Sequence, residues 1–406
     1  MKTVIAFDVS KGNSVIVAYD KNKEYIFESK INHTQEGFSL LQKKINYLLK
    51  TYGQTPEFVL ESTGVYSNCI EHYLSELNYS YCVLNPLEAS FQTKLLRRNK
   101  TDISDAHMLA KTHFSADRRP KYLQDRYYVE MRAMSRHYHD IELEKNVYNN
   151  RIHKLLQETF PEYEKIFKNK SIMFYRIIQE FPHAESLLKS SKTIVRNRLK
   201  KCTKKNYAIK KLEERAIQLR EAANNSVPSV KENSFTCKQI RRNAKRVLEL
   251  EEEQQLLIEE MALLSEDKTE YKILMSIPGI QKTTACRLIG ELGDIRRFKS
   301  NKQVNAYVGI DIARYQSGNV HYKDHINKRG NKRLRGMLFF MIVSMLGTKK
   351  QNHIVEYYYK LKKQPYSKHH KVAIIACINK FLKFTHHLII HEKFYDYGEA
   401  TNTNQP

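Results

Sequence analysis

Short continuous apolar runs stand near the start of the chain, and apolar residues then recur every three to four positions over most of the remainder. Residues 2–7 (KTVIAF) and 13–19 (NSVIVAY) are short β-branched runs separated by Asp8, Lys11 and Gly12, the signature of a hairpin with an acid at its first bend. An amphipathic stretch at 36–50, a strand at 58–61 (FVLE), a helical pattern from Thr63 to about Leu77, an apolar run at 79–85 (YSYCVLN) and a further helix follow. From Tyr127 the spacing changes: Tyr127, Met131, Met134, Tyr138, Ile141, Tyr148, Ile152 and Leu155 keep steps of four and three, with Lys145 breaking the seam. A second run from about Cys237 to Glu266 holds the same register with Val247, Leu250, Gln254, Leu257, Met261 and Leu264. These predict two long helices with narrow apolar stripes, able to pair as an antiparallel coiled coil or across a dimer.

The fold class that follows is α/β plus all-α. Strands that first pair in a meander and then alternate with helices describe an α/β domain of the ribonuclease H type, closing near residue 120. The expected division is a metal-binding α/β domain at 1–122, a helical coiled-coil region at 123–268, a mainly helical basic domain at 269–350, and a C-terminal helix and tail at 351–406. Residues 186–235, rich in Lys, Asn and Ser, read as a mobile or nucleic-acid-facing connection. Periodic segments at 334–347 and 371–391 close the chain, and the tail after Tyr397 is expected to be disordered. No internal repeat is present.

Charge narrows the partners. The 406 residues carry 69 Lys plus Arg against 44 Asp plus Glu, a formal charge of +25, so a polyanion, and first of all nucleic acid, is the natural partner. The six cysteines stand far apart without metal-ligand spacing, the start of the chain has no signal-peptide pattern, and no apolar run approaches the roughly 18 to 20 residues a bilayer requires. A cytoplasmic protein without a membrane partner is expected.

Two groups of residues carry chemistry. The first is four acids: Asp8 after the opening strand, Glu61 at the end of FVLE, and Asp102 and Asp105 in KTDISDAHML. Adjacent strands can bring Asp8 and Glu61 together at their ends, and a spacing of three places Asp102 and Asp105 on one face of a helix start. Hard oxygen ligands of this kind suit Mg²⁺ or Mn²⁺, and a two-metal arrangement holds its ions roughly 3.5–4 Å apart around a scissile phosphate. Singly, each acid has an ordinary structural explanation, as a turn former, a strand end or a helix cap. As a set they do not, because acids avoid the edges of buried strands without a reason.

The second group starts at residues 275–298, where Ile-Pro-Gly-Ile followed by a helix and GELGD resembles a helix-hairpin-helix element whose loop amides can receive a phosphate. From Arg296 to Arg335 eleven Lys or Arg face two acids, Asp311 and Asp324, with tyrosines and histidines interleaved. Ser317 precedes Gly318 in a polar stretch, so its hydroxyl can be presented without crowding, and Lys328, Arg329, Lys332, Arg333 and Arg335 follow as candidates for the phosphate backbone. A serine in such a setting is more often a turn former than a nucleophile.

Taken together, Asp8 in AFDVSK, Glu61 in LESTGVY, KTDISDA at 100–106, PGI at 278–280, AYVGI at 306–310 and QSGN with KRGNKRLR at 316–335 resemble the DEDD-type transposases of the IS110 insertion-sequence family. The resemblance covers the N-terminal third and about residues 270–350. It implies a RuvC-like domain whose four acids, here Asp8, Glu61, Asp102 and Asp105, bind divalent metal, and a separate transposase domain whose Ser-Gly serine corresponds to Ser317. It also implies a covalent serine–DNA intermediate, a structured guide RNA, and a homodimer or tetramer. A metal-dependent hydrolytic nuclease in which water attacks and Ser317 takes no part is the alternative enzyme class, and a non-catalytic nucleic-acid scaffold is a third.

Overall fold

The computed structural model describes residues 3–85, 101–116, 118–203, 206–313, 316–317, 320–321, 324–348 and 351–398, with the backbone alone described at 316, 317, 320 and 321. The expected disordered tail lies largely outside them, as do Gly318 and the predicted helix between the fifth strand and Thr101. Two compact units are present, Met1–Leu123 and Gln124–Pro406.

The first unit is a mixed five-stranded sheet of β1 (Val4–Ser10), β2 (Asn13–Tyr19), β3 (Tyr25–Asn32), β4 (Glu57–Glu61) and β5 (Tyr81–Leu84), in the order β3-β2-β1-β4-β5. The first three strands pair antiparallel, whereas β1–β4 and β4–β5 are parallel, the meander-then-alternate order expected of the sequence. Gly12 takes φ +79 in the β1–β2 turn, where a side chain would be strained. Both faces of β1 are buried from Val4 to Phe7, which is why the run VIAF is continuously apolar rather than alternating. Ile5, Phe7, Phe58 and Leu60 pack with Leu41, Ile45 and Leu48 of the Gln35–Tyr52 helix, while Val4, Ala6 and Val59 meet Ala106, Leu109 and Ala110 of the Asp102–Ser115 helix.

The second unit is built on two long helices, Arg126–Thr159 and Phe235–Ser265. Tyr127 bonds Ser265, Lys145 bonds Glu251, and Thr236 bonds Glu158, so the two run antiparallel within one chain. Lys145 does not break the seam: its ammonium meets Glu251 at 2.5 Å and the buried Gln254 at 2.7 Å. The buried stripe of the second helix drifts from Gln254 to Ile258, Ala262 and Ser265, leaving Leu264 exposed, because 3.6 residues per turn does not hold a seven-residue repeat without supercoiling.

Residues 186–235 are not merely a mobile connection. Helices Lys192–Lys201 and Ile209–Asn224 bury Val195, Leu199, Leu212, Ala216, Leu219 and Ala223 in one core with Phe160, Phe174 and Ile240. Those apolar residues recur at helical spacing beneath the Lys-rich surface that dominated the composition.

A further core joins the ends of the long helices to Thr269–Ser276, Lys282–Leu292, Asn301–Val308, Lys332–Leu346, His353–Lys362 and His370–Ile390, so residues on either side of 350 share one interior. The His370–Ile390 helix is long and apolar enough, by length and composition, to cross a membrane, which corrects the expectation that no apolar run approaches that length. Half of its most apolar window is buried in this core, through residues such as Ile374, Cys377, Phe381 and Leu382. All six cysteines are free thiols.

Candidate functional site

Parallel pairing aligns Val4 with Glu57 and Phe7 with Leu60, so the register continues one step to Asp8 and Glu61 at the same end of the sheet. Alternation then places Asp8 on the side of Val4 and Ala6, and Glu61 on the side of Val59. That is the face covered by the Asp102–Ser115 helix, whose Ala106, Leu109 and Ala110 pack against Val4, Ala6 and Val59. The helix starts at Asp102 because Thr101 and Ser104 form a reciprocal capping box, each side chain accepting the other's backbone N–H. Thr101, rather than Asp102, is therefore the cap. Asp102 is exposed and Asp105 half-buried in the first turn, where the helix dipole favours negative charge.

The fold thus sets Asp8 and Glu61 at one end of one sheet face, and the helix that begins with Asp102 and Asp105 packs over that face. Among the described residues, no three His, Cys, Asp or Glu side chains close into a metal-holding group. The donor set itself fits a hard divalent ion, being carboxylate oxygens only. The two nearby histidines are engaged elsewhere: His107 lies between the Tyr19 hydroxyl at 2.7 Å and Glu28 at 3.2 Å, and His113 lies 3.0 Å from Glu57. Burial, then the neighbouring Tyr25 and Glu28, push the Tyr19 phenol above its ordinary range.

In the second unit, Ser317 stands at the end of β7 (Gln316–Ser317), which pairs antiparallel with β8 (Val320–His321), Ser317 opposite Val320. A companion pair, β6 (Ile312–Ala313) and β9 (His325–Ile326), lies closer to the helices on both arms, and Asn327 ties back to Asp311 through backbone and side chain. The serine is therefore carried on a strand rather than on the polar loop read from the sequence. Paired strands of two residues leave no apolar stripe to signal them.

The basic residues divide by role. Lys328, at φ +61, and Arg329 are exposed beyond the ribbon, and Lys332 and Arg333 are exposed in the first turn of the Lys332–Leu346 helix. Arg333 has an exposed ion-pair partner, Asp140, at 3.5 Å. Arg335 turns inward, its guanidinium donating to the carbonyls of Val308 at 2.8 Å and Lys328 at 3.4 Å. It braces the AYVGI and KRGN segments against each other.

Sequence reasoning missed what positions this helix. Asn331 accepts the Leu334 N–H at 3.0 Å as cap and donates 2.7 Å to the buried Glu291, while its own N–H reaches Tyr307 O at 2.7 Å. Gly330 lies back to back with Gly309. The G-I and R-G-N elements were visible as motifs, but their mutual contact was not. Beside Lys332 and Arg333 opens a cleft of about 860 Å³, walled by Lys145, Arg287, Glu291, Met337 and Phe340. Arg287 is held there by Glu142, at 3.0 and 3.3 Å, and by the Tyr138 ring.

Two family models match the chain: a DEDD transposase model of the IS110 type over residues 5–161, and the transposase IS116/IS110/IS902 family over residues 271–359. The transposase for insertion sequence element IS1111A of Coxiella burnetii is 32% identical over 80 residues, which are 20% of this chain and 22% of that protein. The pilin gene-inverting protein of Moraxella bovis is 38% identical over 72 residues, 18% of this chain and 22% of that protein. The transposase for IS1328 of Yersinia enterocolitica is 36% identical over 75 residues, again 18% and 22%. The alignments thus span about a fifth of these relatives' lengths. Among solved structures, RuvC of T. thermophilus, in complex with a Holliday junction substrate, matches at TM-score 0.23 and 10% identity, over 30% of this chain and 100% of that one.

Proposed function

The chain belongs to the IS110 family of transposases, and from that premise we propose that it cuts and rejoins DNA through a covalent phosphoserine intermediate. Ser317 is the nucleophile, and Asp8, Glu61, Asp102 and Asp105 of a RuvC-like domain hold Mg²⁺ or Mn²⁺. The observation that supports the reading is the parallel register that sets Asp8 and Glu61 at one end of a sheet face over which the capped helix start bearing Asp102 and Asp105 packs. A bound divalent ion there supplies electrostatic stabilisation of the charge that builds on a phosphodiester in flight.

The chain's own residues do the rest. The Ser317 oxygen attacks phosphorus, the serine–phosphate bond forms, and one bridging P–O bond of the DNA breaks to release a hydroxyl end. The reverse attack by a second DNA hydroxyl restores the serine and joins the strands. The serine gives up its proton as it attacks, and the departing DNA oxygen gains one. Lys328, Arg329, Lys332 and Arg333 bind phosphates flanking the scissile one, and Gly318 keeps the approach to the serine uncrowded. A structured RNA guide, a homodimer or tetramer, and a cytoplasmic location complete the proposal.

The decisive experiment is a denaturing gel of the full chain with labelled DNA and Mg²⁺. A covalent adduct whose mapped peptide contains phosphoserine 317, and which is lost in Ser317→Ala while DNA binding persists, is the expected result. Nicked DNA without adduct, unchanged in Ser317→Ala, would assign the protein to the hydrolytic nucleases instead. Mixing Ser317→Ala with Asp8→Asn chains tests the oligomer: recovered strand joining requires that copies work together.

A further inference from the structure

We infer that the turn joining the helices His353–Lys362 and His370–Ile390 is a second nucleic-acid surface, which takes an unpaired strand by lysine–phosphate contacts and by stacking bases on Tyr359 and Tyr366. The inference does not rest on the serine or the metal site. The surface also follows the second family match, which ends at residue 359.

Charge is the first support. From Tyr357 to His391 there are seven lysines and no Asp or Glu. Every residue from Lys362 to Val372 is exposed. Elsewhere in this unit basic side chains find carboxylates, as Lys145 does with Glu251, Arg196 with Glu213, Arg246 with Glu144 and Arg287 with Glu142. Among the described residues, Lys360, Lys362, Lys363, Lys368 and Lys371 have no such partner. Lys362 instead donates to the Lys368 carbonyl at 2.9 Å, which gathers like charges into one turn. Such crowding opposes folding unless a polyanion relieves it. Its effect reaches Lys380, whose ammonium is held below the usual lysine range by burial, with Lys360 and Lys383 adding to it.

The aromatic residues are the second support. Tyr359 is 50% and Tyr366 48% exposed, one on each side of Lys360, Lys362 and Lys363. Phenols with that much ring in water, Tyr359 standing edge-on to Tyr358, offer stacking platforms, and any base has a face to stack. The turn is also ordered: Ser367 N–H reaches Lys363 O at 3.0 Å, Lys368 N–H reaches Leu361 O at 2.9 Å, and the Tyr358 hydroxyl bonds His370 at 2.7 Å. A surface already fixed loses less entropy when a strand arrives. Lysines set beside half-exposed aromatic rings describe a sequence-tolerant single-strand site rather than a duplex reader.

The test uses the full-length protein with oligo-dT and oligo-U of about 15 nucleotides, near the upper end of such site sizes, and a duplex of equal length. The variants are the triple Lys362→Gln/Lys363→Gln/Lys368→Gln, Tyr366→Ala and Tyr366→Phe, each checked for an unchanged thermal transition. Three lost phosphate contacts should lower the slope of log affinity against log salt by about 2 for the single strands. Tyr366→Ala should weaken single-strand binding by about tenfold or more, while Tyr366→Phe should bind as wild type, since the ring and not the hydroxyl stacks. The larger loss, with dT or with U, identifies the polymer. An unchanged slope in the triple variant overturns the inference. So does an equal loss for duplex and single strands with Tyr366→Ala silent.

Discussion

Gly330→Ala is the sharpest single perturbation of the basic segment. A Cβ at Gly330 would lie 2.3 Å from Tyr307 O, 2.4 Å from Gly309 N and 2.6 Å from Val308 C. All three are backbone atoms, so no side chain can swing away, and the two segments must part by about 1 Å to restore ordinary contact. Gly330 is not among the residues with positive φ, so the penalty is steric rather than conformational. Overpacking of this kind costs roughly 1–3 kcal/mol, and the backbone neighbours put it near the upper end. Parting the segments also stretches Asn331 N–H to Tyr307 O, Lys328 N–H to Gly309 O and Arg335 to Val308 O, bonds of 2.7, 3.1 and 2.8 Å. The expected result is a lower denaturation midpoint, faster amide exchange at Asn331, and weaker DNA binding because Lys328, Arg329 and Lys332 lose their placement. Gly336→Ala is the control of opposite sign. Nothing lies within 4 Å of its would-be Cβ and it sits inside a helix, so it should stabilise by about 0.5–1 kcal/mol. Wild-type stability, exchange and affinity in Gly330→Ala would refute the reasoning.

Three further outcomes are expected. Asp8→Asn and Asp105→Asn should abolish Mg²⁺-dependent strand cleavage while leaving DNA affinity and the folding transition within error, and normal cleavage by both would remove the metal assignment. Asn331→Ala should cost about 2 kcal/mol, from a lost helix cap and a buried Glu291 left without its amide donor; Asn331→Asp keeps a capping oxygen but sets two carboxylates together, so it should be no better at pH 7, and wild-type stability in Asn331→Asp would exclude that pairing. His353, buried against Phe384 and Tyr395 with Nε2 unpaired, has its imidazole pushed down to about 4, mainly by burial and then by Lys380. Its folded value is below the unfolded one near 6.5, so its contribution is complete above about pH 6.5 and declines as pH falls toward 4, by about 1.4 kcal/mol per unit and roughly 3 in all; the urea midpoint should fall less between pH 7 and pH 5 in His353→Leu than in wild type, and an equal fall in both would refute it.

The elements most legible in the sequence were those whose burial pattern matches their own periodicity. The hairpin of β1 and β2, the strand FVLE and both long helices lie close to where the apolar spacing set them. The 186–235 region failed for a physical reason: its lysines and asparagines outnumber the eight apolar residues it buries, and composition reports the outside. The exposed Leu264 failed because a strict seven-residue template cannot follow a helix that drifts by about 20° per heptad.

The site was legible to the extent that its residues act through local rules. A helix start carrying Asp102 and Asp105 follows from Thr101 and Ser104 alone. The sharing of one face by Asp8, Glu61 and that helix follows from strand alternation once β1 and β4 are neighbours, and neighbourhood is what a single sequence withholds. The same gap hid Glu291. In the sequence it is one acid in GELGD, forty residues from the motif it serves; in the fold it is the buried carboxylate that holds the cap of the helix bearing Lys332 and Arg333. Arg335 shows the converse. Counted with the basic run it resembles its neighbours, yet its guanidinium is bound to two backbone carbonyls, so Arg335→Ala should damage stability before it alters the salt dependence of DNA binding, whereas Lys332→Ala should do the reverse.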